Sequence, residues 1–274
     1  MSIYGNWISD NIKLNNYPFN HVVINDFLNV EFYNKLISSL PDNVDNNFWY
    51  YCNPIEVKYV LDNKNKFSSE VNNLINNLSS DIFVNKLKRI FNINEISADE
   101  TLHGSGIHYH PRNGRLNMHL DYEKHPILDN KQRRLNIIYY LNDKWEKEWN
   151  GATELWDANM SNCIYKCYPE KNKAIIFETS EMSWHGVPDI IKCPEGMYRK
   201  TLALYYISPL KSNPNKNKLG ADNDGYRKKA VFVKRPFDKY DEKMEKLYKI
   251  RPYRRITDED MKEIWPEWTI NTLV

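Results

Sequence analysis

Residues 115–122 read RLNMHLDY, a β-prone run in which His119 and Asp121 are separated by one residue. On a strand, side chains alternate between faces, so an imidazole and a carboxylate at i and i+2 converge on one point. A pair of this kind arises often by chance. Alone, it reads more readily as a hydrogen-bonded histidine beside a surface aspartate. The sequence downstream shifts that balance. Residues 173–187, KAIIFETSEMSWHGV, form an apolar strand, a polar turn and then His185, and Arg199 opens a further β-prone run, RKTLALYY. A sheet that folds back on itself brings His185 beside His119 and Asp121. Three such ligands on one face of an octahedral iron(II) ion leave three positions open for substrates and O2.

The flanking sequence supports such a sheet. RRLNIIYYLN (133–142), ATELWD (152–157), NKAIIFETS (172–180) and YRKTLALYYIS (198–208) are short β-prone runs. Turn-rich pieces such as HPRNG, LNDKWEKEWNG and CPEGM separate them, with no helices between. That spacing predicts an all-β core, an antiparallel jelly roll, over about 99–208. Residues 1–98 begin with a strand at His21 to Ile24 and continue with amphipathic stretches. In SSEVNNLINNLSSDIFVNKLKRIF (68–91), Val71, Leu74, Leu78 and Ile82 recur at helical spacing and predict one amphipathic helix. Residues 209–274 open with a polar loop, SNPNKNKLGADNDG. Two charged pieces follow, DEKMEKLYKI and DEDMKEIW, each read as one short helix of a C-terminal extension.

Bulk composition excludes several classes. The chain has 274 residues, 41% hydrophobic and 14% aromatic, enough for a sizeable core and unlike a disordered chain. With 38 basic and 36 acidic residues there is no global field for nucleic acid or an anionic membrane. No run approaches the roughly 20 apolar residues of a membrane-spanning helix. The opening MSIYGNWISDNIKL lacks the pattern of a secretory signal. A cytoplasmic protein with reduced thiols is expected. Cys163 and Cys167 are not at zinc-knuckle spacing.

The HLD pair, the distal WHGV and the following RKTLALYY resemble the 2-oxoglutarate/Fe(II) oxygenases, specifically the prolyl 4-hydroxylase-like branch. The likeness covers roughly 99–208, and YPFNHVVINDFL (17–28) is similar to the start of many bacterial members. The resemblance implies a double-stranded β-helix and iron held by His119, Asp121 and His185. It implies 2-oxoglutarate and O2 as cosubstrates, release of succinate and CO2, and ascorbate as a reductant. Arg199 then pairs the distal carboxylate of 2-oxoglutarate, for which its planar fork is suited. Thr201 shares its strand face, and Lys200 points away. The relatives carry a tyrosine ten residues before the first metal histidine, matched here by Tyr109. They also carry an IYYLN strand whose second tyrosine, here Tyr140, reaches the cosubstrate. Asn117 shares strand parity with His119 and Asp121, so a contact with substrate and a barrel-lining role are both open. His108 and His110 read as loop residues, with an approach to the pocket mouth open. Arg112, Arg115, Arg133 and Arg134 read as solvated surface residues, with recognition of an anionic substrate open. Trp184 reads as packing.

The substrate expected from the resemblance is a peptidyl proline, with a free amino acid or a glycan as alternatives and a homodimer left open. An aspartate at 121 argues against a halogenase, because halide must occupy that ligand's place. A rival of another class is a non-catalytic cupin-like metal-binding module. It would make no succinate.

Overall fold

The computed structural model describes residues 2–239 and 242–272, so Asp241, at the head of the first C-terminal helical piece, lies outside the described residues. The core is one curled antiparallel sheet of thirteen strands. Its first half runs β1 (His21–Ile24), β10 (Ala174–Glu178), β7 (Lys131–Tyr140), β12 (Arg199–Pro209), β5 (Gly106–His110) and β3 (Glu56–Leu61). It continues through β6 (Arg115–Leu120), β11 (His185–Val187), β8 (Thr153–Trp156) and β9 (Cys163–Cys167). The two halves close over each other. Tyr140, Ile175 and Phe177 from the first pack against Leu155 and Cys167 from the second. This is the jelly roll expected from the strand spacing.

Strand alternation assigns each face. On β12, Leu202, Leu204 and Tyr206 face outward into the main apolar core, while Arg199, Thr201, Ala203 and Tyr205 face a cavity. On β7, Leu135, Ile137 and Tyr139 join the same core. Helices α1 (Val30–Ser38), α2 (Ser69–Leu78) and α3 (Asp81–Phe91) cover that outer surface. Burying so many large apolar side chains at about 25 cal/mol per Å2 is the main force holding helices to sheet.

Two elements differ from expectation. The helix read through 68–91 is two, because Ser80 caps a new start by accepting from the Phe83 amide. The break resets the phase. Phe83, Val84, Leu87 and Phe91 turn inward and Ile82 is left 83% exposed. The N-terminal region also supplies a hairpin, β2 (Trp49–Asn53) with β3.

Beyond residue 209 the chain adds α4 (Glu242–Ile250) and α5 (Asp258–Ile264), matching the two helical pieces. A two-residue strand, β13 (Val231–Phe232), pairs with β6 beside His119, and β4 (Ser97–Ala98) pairs with β12. Phe232, Met244, Leu247 and Trp265 bury against Ile55, fixing this segment over the mouth of the roll. No helix among the described residues is long and apolar enough to cross a membrane. All four cysteines are free.

Candidate active site

His119 and His185 face each other across the β6–β11 pairing, with ring centroids 4.3 Å apart. The Nε2 atom of His119 lies 3.9 Å from Asp121 Oδ1, and that of His185 lies 3.5 Å from Oδ2. One donor atom from each of the three falls within 4.8 Å of the others. The Nδ1 of His119 is 2.9 Å from the Asn117 carbonyl and that of His185 is 2.8 Å from the Ser183 carbonyl. Carbonyls only accept, so each Nδ1 carries the proton and each Nε2 turns a lone pair to the shared point.

Charge states suit a cation. Burial, then the neighbouring imidazole of His185, lowers His119 to about 3, and burial lowers His185 as well. Both rings are therefore neutral. Burial alone would raise Asp121, but the Arg133 guanidinium, with the hydrogen bond from Asn136, outweighs it and holds the carboxyl well below the usual range. Arg133 Nη1 donates to Oδ1 at 2.7 Å and Asn136 Nδ2 to Oδ2 at 2.7 Å. A carboxylate has about four lone-pair sites, so capacity for a metal remains. Two neutral imidazoles and one ionised carboxylate are a donor set that fits iron(II).

The same cavity contains Arg199 and Thr201. Arg199 is 2% exposed; its Nε donates to the Gly151 carbonyl at 2.6 Å and its Nη2 to Thr153 Oγ1 at 3.0 Å. The Tyr140 hydroxyl donates to the Cys167 carbonyl at 2.8 Å and lies 2.7 Å from Thr153 Oγ1. No carboxylate among the described residues forms an ion pair with Arg199. A buried guanidinium without a counter-charge is costly unless a ligand supplies one. The donors around it fit the second carboxylate of 2-oxoglutarate.

Of the residues assigned from the sequence, Tyr109 and Asn117 do not line the cavity. Tyr109 turns away from the cavity: its hydroxyl donates to the Pro41 carbonyl at 2.9 Å and its ring packs on Phe48 and Tyr198. Because side chains on a strand alternate, its neighbours His108 and His110 point in instead, beside Thr201 and Arg199. Both are buried, with His108 Nε2 and both ring nitrogens of His110 unpartnered. Asn117 also faces away, donating to the Tyr248 hydroxyl at 2.9 Å. A bulge explains it: His185 to Val187 on β11 opposes His119 to Leu116 on β6, so parity changes and Leu116 lines the cavity.

Arg133 is likewise not a surface residue. A register shift between Tyr206 and Ile207 skips Arg134 and turns Arg133 inward, where it lies between the rings of Tyr122 and Tyr205 at 3.9 and 3.4 Å. Arg115 is buried too, whereas Arg134 pairs with Glu178 and Arg112 donates to the carbonyls of Lys192 and Cys193. Trp184 packs with Met118 and Trp156, as expected. Phe232, from the far C-terminal segment, stacks on His119 at 5.0 Å. A strand of two residues leaves no periodic signal in the sequence.

Residues 105–207 match the family described as the 2OG-Fe(II) oxygenase superfamily, whose chemistry uses Fe(II), 2-oxoglutarate and O2. No curated protein matches the chain in sequence. A Pseudomonas putida prolyl-4-hydroxylase shares the fold at 13% identity and a TM-score of 0.50, over 68% of this chain and 91% of that one. A Trichoplax adhaerens prolyl hydroxylase, solved with a peptide fragment of hypoxia inducible factor, aligns at 14% identity, 69% and 83% coverage and a TM-score of 0.43. HygX from Streptomyces hygroscopicus, with nickel, 2-oxoglutarate and hygromycin B bound, aligns at 13% identity, 69% and 82% coverage and a TM-score of 0.41.

Proposed function

We propose that this chain, which carries a 2OG-Fe(II) oxygenase domain, hydroxylates an unactivated C–H bond while 2-oxoglutarate is converted to succinate and CO2. Peptidyl proline is the first substrate class to test. The observation that carries the reading is one cavity holding both the His119–Asp121–His185 donor set and the unpaired guanidinium of Arg199. Bound iron and 2-oxoglutarate would supply the oxidative chemistry.

The chain's own residues bind, orient and shield. His119, Asp121 and His185 would hold the metal, each offering one ligand atom to a shared point. Arg199 meets the distal carboxylate of 2-oxoglutarate, with Thr201 on the same strand face and Tyr140 fixing the Thr153 hydroxyl that Arg199 also uses. Trp145 and Gly151 brace this end: a Cβ at Gly151 would come within 3.2 Å of both Arg199 Cδ and the Trp145 ring. Phe232 covers the His119 ring and restricts water on that side. A cytoplasmic setting and ascorbate as auxiliary reductant belong to the same proposal.

The test is turnover by purified protein with Fe(II), 2-oxoglutarate and O2, against prolyl peptides, free amino acids and glycans. Succinate formed in step with a product carrying one added oxygen atom is the expected result. Failure of all panels to raise succinate above the substrate-free level would remove the hydroxylase reading.

A further inference from the structure

The cavity that holds the donor set and Arg199 is lopsided in charge. Lys58 from β3 and Lys228, Lys229, Arg251 and Arg255 from the C-terminal segment all line it. The carboxylate that answers them in the cavity is Glu56, which pairs with Lys58 at 3.2 Å and with Arg251 at 3.3 Å. Lys228 is drawn outward to Asp222 and Asp224. Among the described residues no carboxylate pairs with Lys229 or Arg255. Arg255 instead lies over the Tyr51 ring at 5.2 Å, and Tyr51 also lines the cavity.

This cluster sits close to the donor set. The Arg251 guanidinium lies 5.1 Å from the Phe232 ring centroid, and that ring stacks on His119. The cluster and the donor set therefore share one cavity, with Phe232 touching both Arg251 and His119. None of these five is the cation assigned to 2-oxoglutarate, which is Arg199 on β12. Iron(II) and the dianionic cosubstrate cancel in charge, and Arg133 is matched by Asp121. Lys229 and the solvent-exposed Arg255 remain at the cavity without a carboxylate partner among the described residues. Basic side chains gathered around a partly enclosed chamber focus the field on an anionic ligand and disfavour neutral or cationic ones.

We propose that the substrate carries a carboxylate or phosphate group near the carbon to be oxidised, received by Lys229 and Arg255 with Lys58 and Arg251 behind them. The inference rests on this cavity being the substrate chamber of the oxygenase proposed above. It narrows the prolyl reading to a proline with an acidic neighbour.

The experiment uses the full chain loaded with Mn(II) and 2-oxoglutarate and three capped peptides, Ala-Pro-Gln, Ala-Pro-Glu and Ala-Pro-phosphoserine, titrated by calorimetry. Uptake of Mn(II) and 2-oxoglutarate, measured first, judges the oxygenase reading separately from peptide discrimination. One or both acidic peptides should bind at least about tenfold more tightly than the glutamine peptide, as expected for one charge-assisted contact. The glutamate and phosphoserine arms distinguish carboxylate from phosphate. Raising salt should shrink the preference. The Lys229→Ala, Arg255→Ala double variant should lose it while keeping its melting temperature and 2-oxoglutarate affinity. Arg255→Lys, in the otherwise natural chain, should keep most of it. Equal binding of all three peptides, no binding of either acidic peptide, or an undiminished preference in the double variant would overturn the proposal.

Discussion

At the residue scale, His119 and Asp121 do different work. His119→Ala should remove tight metal binding, read by calorimetry with Mn(II), and leave the melting temperature close to that of the parent. Asp121→Ala should also lose the metal, but it strands Arg133, whose side chain is 4% exposed and which pairs with Asp121. Leaving a buried charge without its partner costs about 3–5 kcal/mol, so this variant should melt at a clearly lower temperature. Arg199→Ala removes the guanidinium from a ligand carboxylate and should weaken 2-oxoglutarate by roughly several hundredfold. Arg199→Lys should recover only part, because lysine keeps the charge and loses the fork. Tyr109→Phe should cost about 1 kcal/mol of stability from the lost bond to Pro41 and leave 2-oxoglutarate affinity unchanged. A large loss of that affinity would return Tyr109 to the cavity.

At the scale of elements, the site depends on how three strands register. Gly186 on β11 packs against β6: a Cβ there would meet the carbonyl oxygens of Leu116 and Asn117 at 2.8 and 2.9 Å. Gly186→Ala should push β11 away and carry His185 with it, so metal affinity should fall even though no ligand has changed. The same registers explain what could be read from the sequence. His119 with Asp121, and Arg199 with Thr201, were legible because simple alternation holds within each pair. Asn117 and Arg133 were not, because the bulges at β6 and β7 reverse parity between them and their neighbours. Tyr109 was placed by counting residues to His119, and a one-residue difference in that count exchanges the two faces of β5. The inward residues His108 and His110 were legible as candidates for the pocket mouth, but with Tyr109 set facing inward a loop role was preferred for them.

At the scale of the whole molecule, the C-terminal segment closes a chamber that the jelly roll leaves open. Its contribution was hidden because β13 has two residues and because the ion pair from Glu56 to Arg251 spans most of the chain. Burial would raise Glu56, but Lys58 and Arg251 bring it from an ordinary 4.5 down to about 2. A depressed carboxylate stabilises the fold above its unfolded value and loses that contribution as pH falls toward the folded one. Glu56→Gln should therefore flatten the loss of stability between about pH 4.5 and 2 seen in acid unfolding curves. An unchanged acid limb would count against this link. The segment and the roll together line one cavity with one proposed chemistry, and helices α1–α3 back the opposite face of the sheet. The most direct test of that chemistry is succinate formed from 2-oxoglutarate by the purified full chain under air, with and without Fe(II). Iron-dependent succinate that disappears in His119→Ala is the predicted result; no succinate with iron present, or an equal yield from His119→Ala, would contradict it.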